Sequence, residues 1–247
     1  MNEKKCWLVV AVFAMAMAWV ESSVVFYLRT MVDRIEPYQA NPLPFFGGLG
    51  KAELIRELAT MVMLLTIGWL AGKTWRNRIG YSAIAFGLWD IFYYVFLKLL
   101  CGWPNSVFDW DILFLLPLPW WGPVWAPVSI VLLMILWGTL ASQLEGSPRP
   151  SDSRSRIPWA LNFFGMAIAL YVFMADSLRV AGTSPSALRT LLPTYFNGTL
   201  FILALLLMAA PIFPELRNLV RQRSINDNLR GGQQLLPTRT GSTENVS

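Results

Sequence analysis

The chain has 247 residues, of which 55% are Ala, Val, Ile, Leu, Met, Phe, Trp, Tyr or Cys and only 14% are charged, against about 25% charged in a typical soluble domain. That deficit excludes an ordinary water-soluble globule and marks an all-α integral membrane protein. The absence of histidine excludes imidazole-ligated haem, His-bearing zinc or di-iron centres and any His-based triad, and no cofactor or metal is expected. The formal charge of +5 and a pI near 9.4 do not point to nucleic acid, because the cations are scattered through short loops rather than gathered on one polar face.

A hydrocarbon core about 30 Å thick needs about 20 apolar residues at 1.5 Å each. Six segments approach that length: Cys6 to Leu28, Leu58 to Gly72, Ile79 to Gly102, Pro123 to Leu144, Pro158 to Gly182 and Tyr195 to Phe213. The first follows MNEKK and contains AMAMA, as a signal peptide does, but its apolar run continues to Leu28 and reads as a retained span. The second is short, and the helical spacing of Glu53, Arg56 and Glu57 with the run that follows places its true start earlier. Cys6 and Cys101 fall at opposite faces in this scheme, so no disulfide joins them.

Lys and Arg set the expected orientation. With the amino terminus inside, the inner segments hold Lys4, Lys5, Lys73, Arg76, Arg78, Arg149, Arg154, Arg156 and five tail arginines, thirteen of the twenty. Both termini are therefore expected in the cytoplasm, in a plasma or bacterial inner membrane. The expected organisation is a six-helix transmembrane domain over 1–213 and a cytoplasmic basic juxtamembrane segment with a disordered tail over 214–247. Glu145 to Ile157 reads as a polar linker. The sequons at Asn197 and Asn245 fall at a membrane edge and in the tail, and no internal repeat is evident.

Between the third and fourth helices lies FDWDILFLLPLPWWGPVWAP, with an apolar core too short to span and interrupted by Pro117 and Pro119, which remove backbone donors that lipid cannot replace. It is expected to be a short re-entrant or interfacial segment on the outer face, with Trp120, Trp121 and Trp125 at headgroup level. Over about twenty residues it resembles the proline and Pro-Val-Trp cluster of the tryptophan-rich TspO family. The helix order departs from that family's five-helix plan, and nothing further is carried over.

An ionisable side chain near the bilayer centre costs about 2.5–3.5 kcal/mol on insertion scales, so each demands a partner or a wet cavity. Asp90 lies roughly 16 Å from either end of the third span by helix rise, and Glu21 about 10 Å below the outer end of the first. Asp90 shares a stripe with Tyr93 and Tyr94, with Lys98 at its margin. Asp176 and Arg179 form an i, i+3 pair in the outer part of the fifth span and can neutralise each other. Glu53, Arg56 and Glu57 read as interfacial charge, and Asp109 and Asp111 as acids flanking Trp110. All but Asp90 belong to the outer half. The expectation is one polar pocket open to the non-cytoplasmic side with Asp90 at its floor, drawn from Glu21, Arg29, Glu57, Asp90, Tyr93, Tyr94, Lys98, Asp111, Asp176 and Arg179.

Three functions fit such a pocket. The first is a small-solute or proton-linked carrier, with Arg29, Arg56 and Lys98 placed to attract an anionic group. The second is an accessory or assembly subunit of a larger membrane complex, its internal charges serving as structural glue. The third is a cofactor-independent membrane enzyme acting on a lipid or isoprenoid, with a carboxylate pair among Glu21, Asp90 and Asp111 as acid and base. The partners expected are the lipid bilayer and a second copy or a larger complex, with no nucleic acid.

Overall fold

A computed structural model describes residues 3–39, 48–114, 118–143, 156–181, 191–221 and 224. Most of the linker 145–157, the tail beyond 224, Pro117, Arg149, Arg154, Arg189 and the Asn245 sequon lie outside the described residues. The chain is mostly helical: α1 (Glu3–Met31), α2 (Gly48–Ala71), α3 (Trp75–Cys101), α4 (Trp125–Gln143), α5 (Ile157–Ala181) and α6 (Gly198–Met208), followed by α7 (Ile212–Arg221). A two-stranded antiparallel hairpin, β1 (Trp110–Ile112) and β2 (Trp121–Pro123), stands between α3 and α4, with Asp111 opposite Gly122.

Five helices are each long and apolar enough to cross a membrane, and there are six crossings if α6 and α7 count as one span bent by 41°. The bend follows from sequence, since Pro211 sits between the two helices and cannot donate the backbone bond that would join them. As the spacing of Glu53, Arg56 and Glu57 required, α2 begins ahead of the apolar run. Apolar side chains stay exposed along the outside of α1, α2 and α5, among them Leu8, Leu65, Leu70, Phe163 and Phe164. A water-soluble fold would bury so continuous a surface.

The helix ends have local causes. Thr74 caps α3 by accepting a hydrogen bond from the Asn77 N–H, and Gly102 ends it in the left-handed region at φ 77° while donating to the Lys98 carbonyl, a conformation that costs glycine little. Asn197 caps α6 by accepting from Leu200 N–H.

The helices alternate in direction. Trp7 near the start of α1 donates to Thr139 near the end of α4 at 3.1 Å, and the Tyr81 hydroxyl near the start of α3 donates to the Glu3 carbonyl at 3.4 Å. One apolar core joins α1, α2 and α3 through Val10, Ala14, Ala18, Leu64, Ile84 and Trp89, and a second joins α4, α5 and α6 through Ala126, Ala169, Phe173, Phe201 and Ala204. α3 and α4 unite the two halves, and small residues permit their approach: a Cβ on Gly138 would run into the Gly80 carbonyl.

The Trp/Pro segment, expected as a short re-entrant or interfacial stretch, contains the hairpin and packs against α4 and α5. Trp121 is only 2% exposed, and Trp125 packs edge-on against Phe196 and Phe201 at 5.6 and 5.2 Å. The Trp121 indole thus lies in the protein interior and Trp120 and Trp125 are half-buried, because the hairpin folds back on the bundle. Gly122 makes this possible, since a Cβ there would collide with the Phe173 ring. Ser177 of α5 secures the turn by donating to the Pro119 carbonyl at 2.6 Å.

Candidate functional site

The end of the bundle where α1 finishes and α2 begins encloses a cavity of about 230 Å³. α1 contributes Glu21 and Arg29, and Arg34 follows from the loop after it. α2 contributes Glu53, Arg56, Glu57 and Thr60; α3 contributes Phe86, Trp89, Asp90, Tyr93 and Tyr94. The hairpin segment adds Asp111, Phe114 and Trp120, and α5 reaches the cavity with Phe173.

Two ion networks organise its wall. Arg29 donates to Asp111 Oδ1 at 3.0 Å, and the two side chains are only 13% and 2% exposed. Its guanidinium also donates to the Ile35 carbonyl at 3.3 Å and lies 4.3 Å over the Trp103 ring. The same Asp111 oxygen accepts from the Ile112 N–H at 2.9 Å, and Tyr94 lines the same cavity. Burial pushes the Asp111 carboxyl above the ordinary carboxylate range, against the downward pull of Arg29 and these hydrogen bonds. In the second network Arg56 pairs with Glu21 across the α1–α2 contact and with Glu53 of its own helix at 2.7 Å. The Thr60 hydroxyl donates to the other Glu21 oxygen at 3.3 Å. Arg34 is 6% exposed and donates to the carbonyls of Pro37 and Gln39 at 3.0 and 2.9 Å; burial and the nearby charge of Arg29 lower its pKa.

Asp90 is the exception. Among the described residues no hydrogen bond or ion pair reaches it, and its Oδ2 is sealed from solvent. The indole N–H groups of Trp89 and Trp120, both cavity residues, are also buried without an acceptor. Among the described residues no three acidic or cysteine side chains are grouped so as to hold a metal ion.

Of the ten residues expected to form the pocket, Glu21, Arg29, Glu57, Asp90, Tyr93, Tyr94 and Asp111 line this one cavity. Lys98, Asp176 and Arg179 do not. Lys98 turns to the end of its own helix and donates to the Gly102 carbonyl at 2.6 Å. Asp176 pairs with Arg179 at 3.1 Å and accepts from the Thr194 N–H at 3.1 Å, because α5 packs on α6 rather than on α1 to α3. Arg56, with Glu53, leaves the interfacial role expected of it and becomes the bridge between two helices. Arg34, Thr60, Trp89 and Trp120 carried no site expectation.

No family model, curated protein or solved structure matches this chain.

Proposed function

We propose that this protein is a multi-pass membrane carrier that takes a small solute into the chamber from the non-cytoplasmic side, with both termini cytoplasmic and Asp90 exchanging a proton against the bound solute. The observation that carries this reading is Asp90, an acid within a spanning helix that lines a cavity and has no partner among the described residues while its neighbouring acids are engaged. An ionisable group at such depth is kept at a cost in stability, which points to use rather than architecture. The cavity lies below the roughly 300–1,000 Å³ of drug-sized pockets, which suits a small solute. The orientation is supported by the distribution of Lys and Arg between the loops.

The test is purified protein in proteoliposomes holding a trapped pH indicator, challenged with a panel of small charged and neutral solutes. Carriage coupled to protons gives a solute-dependent change of internal pH that Asp90→Asn abolishes. Uptake that is unchanged in Asp90→Asn removes Asp90 from the mechanism.

A second reading, acid–base chemistry on a lipid or isoprenoid, draws support from Asp90 and Asp111 lining one cavity in different states, one without a partner among the described residues and one held by Arg29. Conversion of a lipid extract by the purified chain, with loss of conversion in both Asp90→Asn and Asp111→Asn, would favour it over carriage.

A further inference from the structure

We infer that the solute of this chamber is a small organic cation, an ammonium on a short apolar body, held by Asp90. The inference rests on the chamber binding a solute at all, as proposed above, and names its chemical class.

Charge comes first. Five acids line the cavity, Glu21, Glu53, Glu57, Asp90 and Asp111, against three arginines, Arg29, Arg34 and Arg56. Every one of these arginines is engaged, Arg29 by Asp111, Arg56 by Glu21 and Glu53, and Arg34 by two backbone carbonyls. An anionic solute would have to displace a buried carboxylate to reach a guanidinium, leaving that acid uncompensated, which is costly. A cation meets no such obstacle, since Asp90 is the one cavity acid without a described partner and an ammonium supplies the missing counter-charge through a charged hydrogen bond.

The walls select among cations. Phe86, Trp89 and Tyr93 lie within a turn of Asp90 and also line the cavity, with ring centroids 5.5 Å apart for Phe86 and Trp89 and 6.3 Å for Trp89 and Tyr93. Trp120 and Phe173, which also line the cavity, stack at 6.5 Å. Aromatic faces attract an organic ammonium and cover its apolar body. A bare metal ion needs several converging oxygens, and the described acids are not grouped to provide them. Charge and wall chemistry together fit one positive nitrogen at Asp90 with a few carbons among the rings.

The decisive experiment uses the full chain, purified in detergent, and three probes of similar chain length: n-butylammonium, n-butanol and n-butyrate. Binding is read from intrinsic fluorescence, to which the wall residues Trp89 and Trp120 contribute. The ammonium is expected to give a saturable change and to bind at least about tenfold more tightly than the other two. Asp90→Asn should weaken it by about tenfold or more, the equivalent of one charged hydrogen bond, while Asp90→Glu retains binding. Gel filtration of each variant reports folding, and if Asp90→Asn does not fold, the probe comparison in the native chain together with Asp90→Glu decides. If butanol or butyrate binds as tightly as the ammonium, or if folded Asp90→Asn binds the ammonium as the native chain does, the cation assignment is wrong and a solute-binding chamber stands. If none of the three gives a saturable change, the assignment and the solute-binding reading fall together.

Discussion

At the end of the bundle where α2 gives way to α3, Arg76 donates to the Ala141 carbonyl in the last turn of α4 at 2.7 Å and pairs with Glu215 of α7 at 2.5 Å. Arg78 donates to the Gly72 carbonyl at 3.2 Å and lies 4.0 Å over the Trp69 ring. These guanidiniums answer carbonyls that a helix C-terminus leaves unpaired and partly negative. At the opposite end Arg29 and Arg56 are spent on buried carboxylates of neighbouring elements, and a cavity remains beside them with Asp90 unpaired among the described residues. The same residue type closes the structure at one end and at the other balances acids around a cavity. The contrast separates charge that serves folding from charge available to a ligand.

The largest test of that contrast is Arg29→Gln, which leaves Asp111 buried without its counter-ion. Breaking one partner of such a pair costs about 3–5 kcal/mol, read as a loss of thermal stability in detergent. The loss should depend on pH. Burial already raises the Asp111 carboxyl, and removal of Arg29 takes away the largest opposing influence, so the folded variant holds the Asp111 proton to higher pH than the unfolded chain does. Its stability is therefore fullest below the ordinary carboxylate pKa of about 4 and falls as pH rises through the raised folded value. A deficit no greater at pH 8 than at pH 5 would break the account of Asp111.

A smaller effect is expected from Arg76→Gln, about 0.5–1.5 kcal/mol for one hydrogen bond to a helix end, with chamber binding unaltered. A change in ligand affinity there would join the two ends that the comparison keeps apart. The smallest effect belongs to Asp90→Asn, which removes no described hydrogen bond or ion pair and should leave the melting temperature at neutral pH unchanged or slightly raised while abolishing function. A large loss of stability would show that Asp90 belongs to the architecture and not to a ligand.

Several parts of the chamber were legible in one dimension. Asp90, Tyr93 and Tyr94 share a helical stripe, and that stripe does face the cavity. The Arg56–Glu21 bridge was not expected from the sequence, although the depths of the two residues are consistent with it once the structure places the start of α2 at Gly48. Arg56 then lies about 12 Å from the start of α2 and Glu21 about 15 Å from the end of α1, comparable depths on consecutive antiparallel helices. Lys98 had the right depth but the wrong bearing, since eight residues beyond Asp90 carry it about 80° round the helix. Asp176 and Arg179 failed for a different reason, because nothing in their spacing says which helix α5 packs against. The hairpin was least legible: Asp111 was expected in the pocket, but the strand pairing and the burial of Trp121 follow only once the segment turns inward around Gly122.

Composition and hydropathy by themselves determined a helical protein with five or six membrane-length helices, and the depth of each acid within them, because crossing lipid constrains every short stretch of chain independently. Which arginine neutralises which acid, and that Asp90 is left over beside an aromatic cavity, was decided only in three dimensions. Those outcomes depend on the rotation of each helix about its axis and on a hairpin folding back between them, and both arise from packing between residues far apart in the chain.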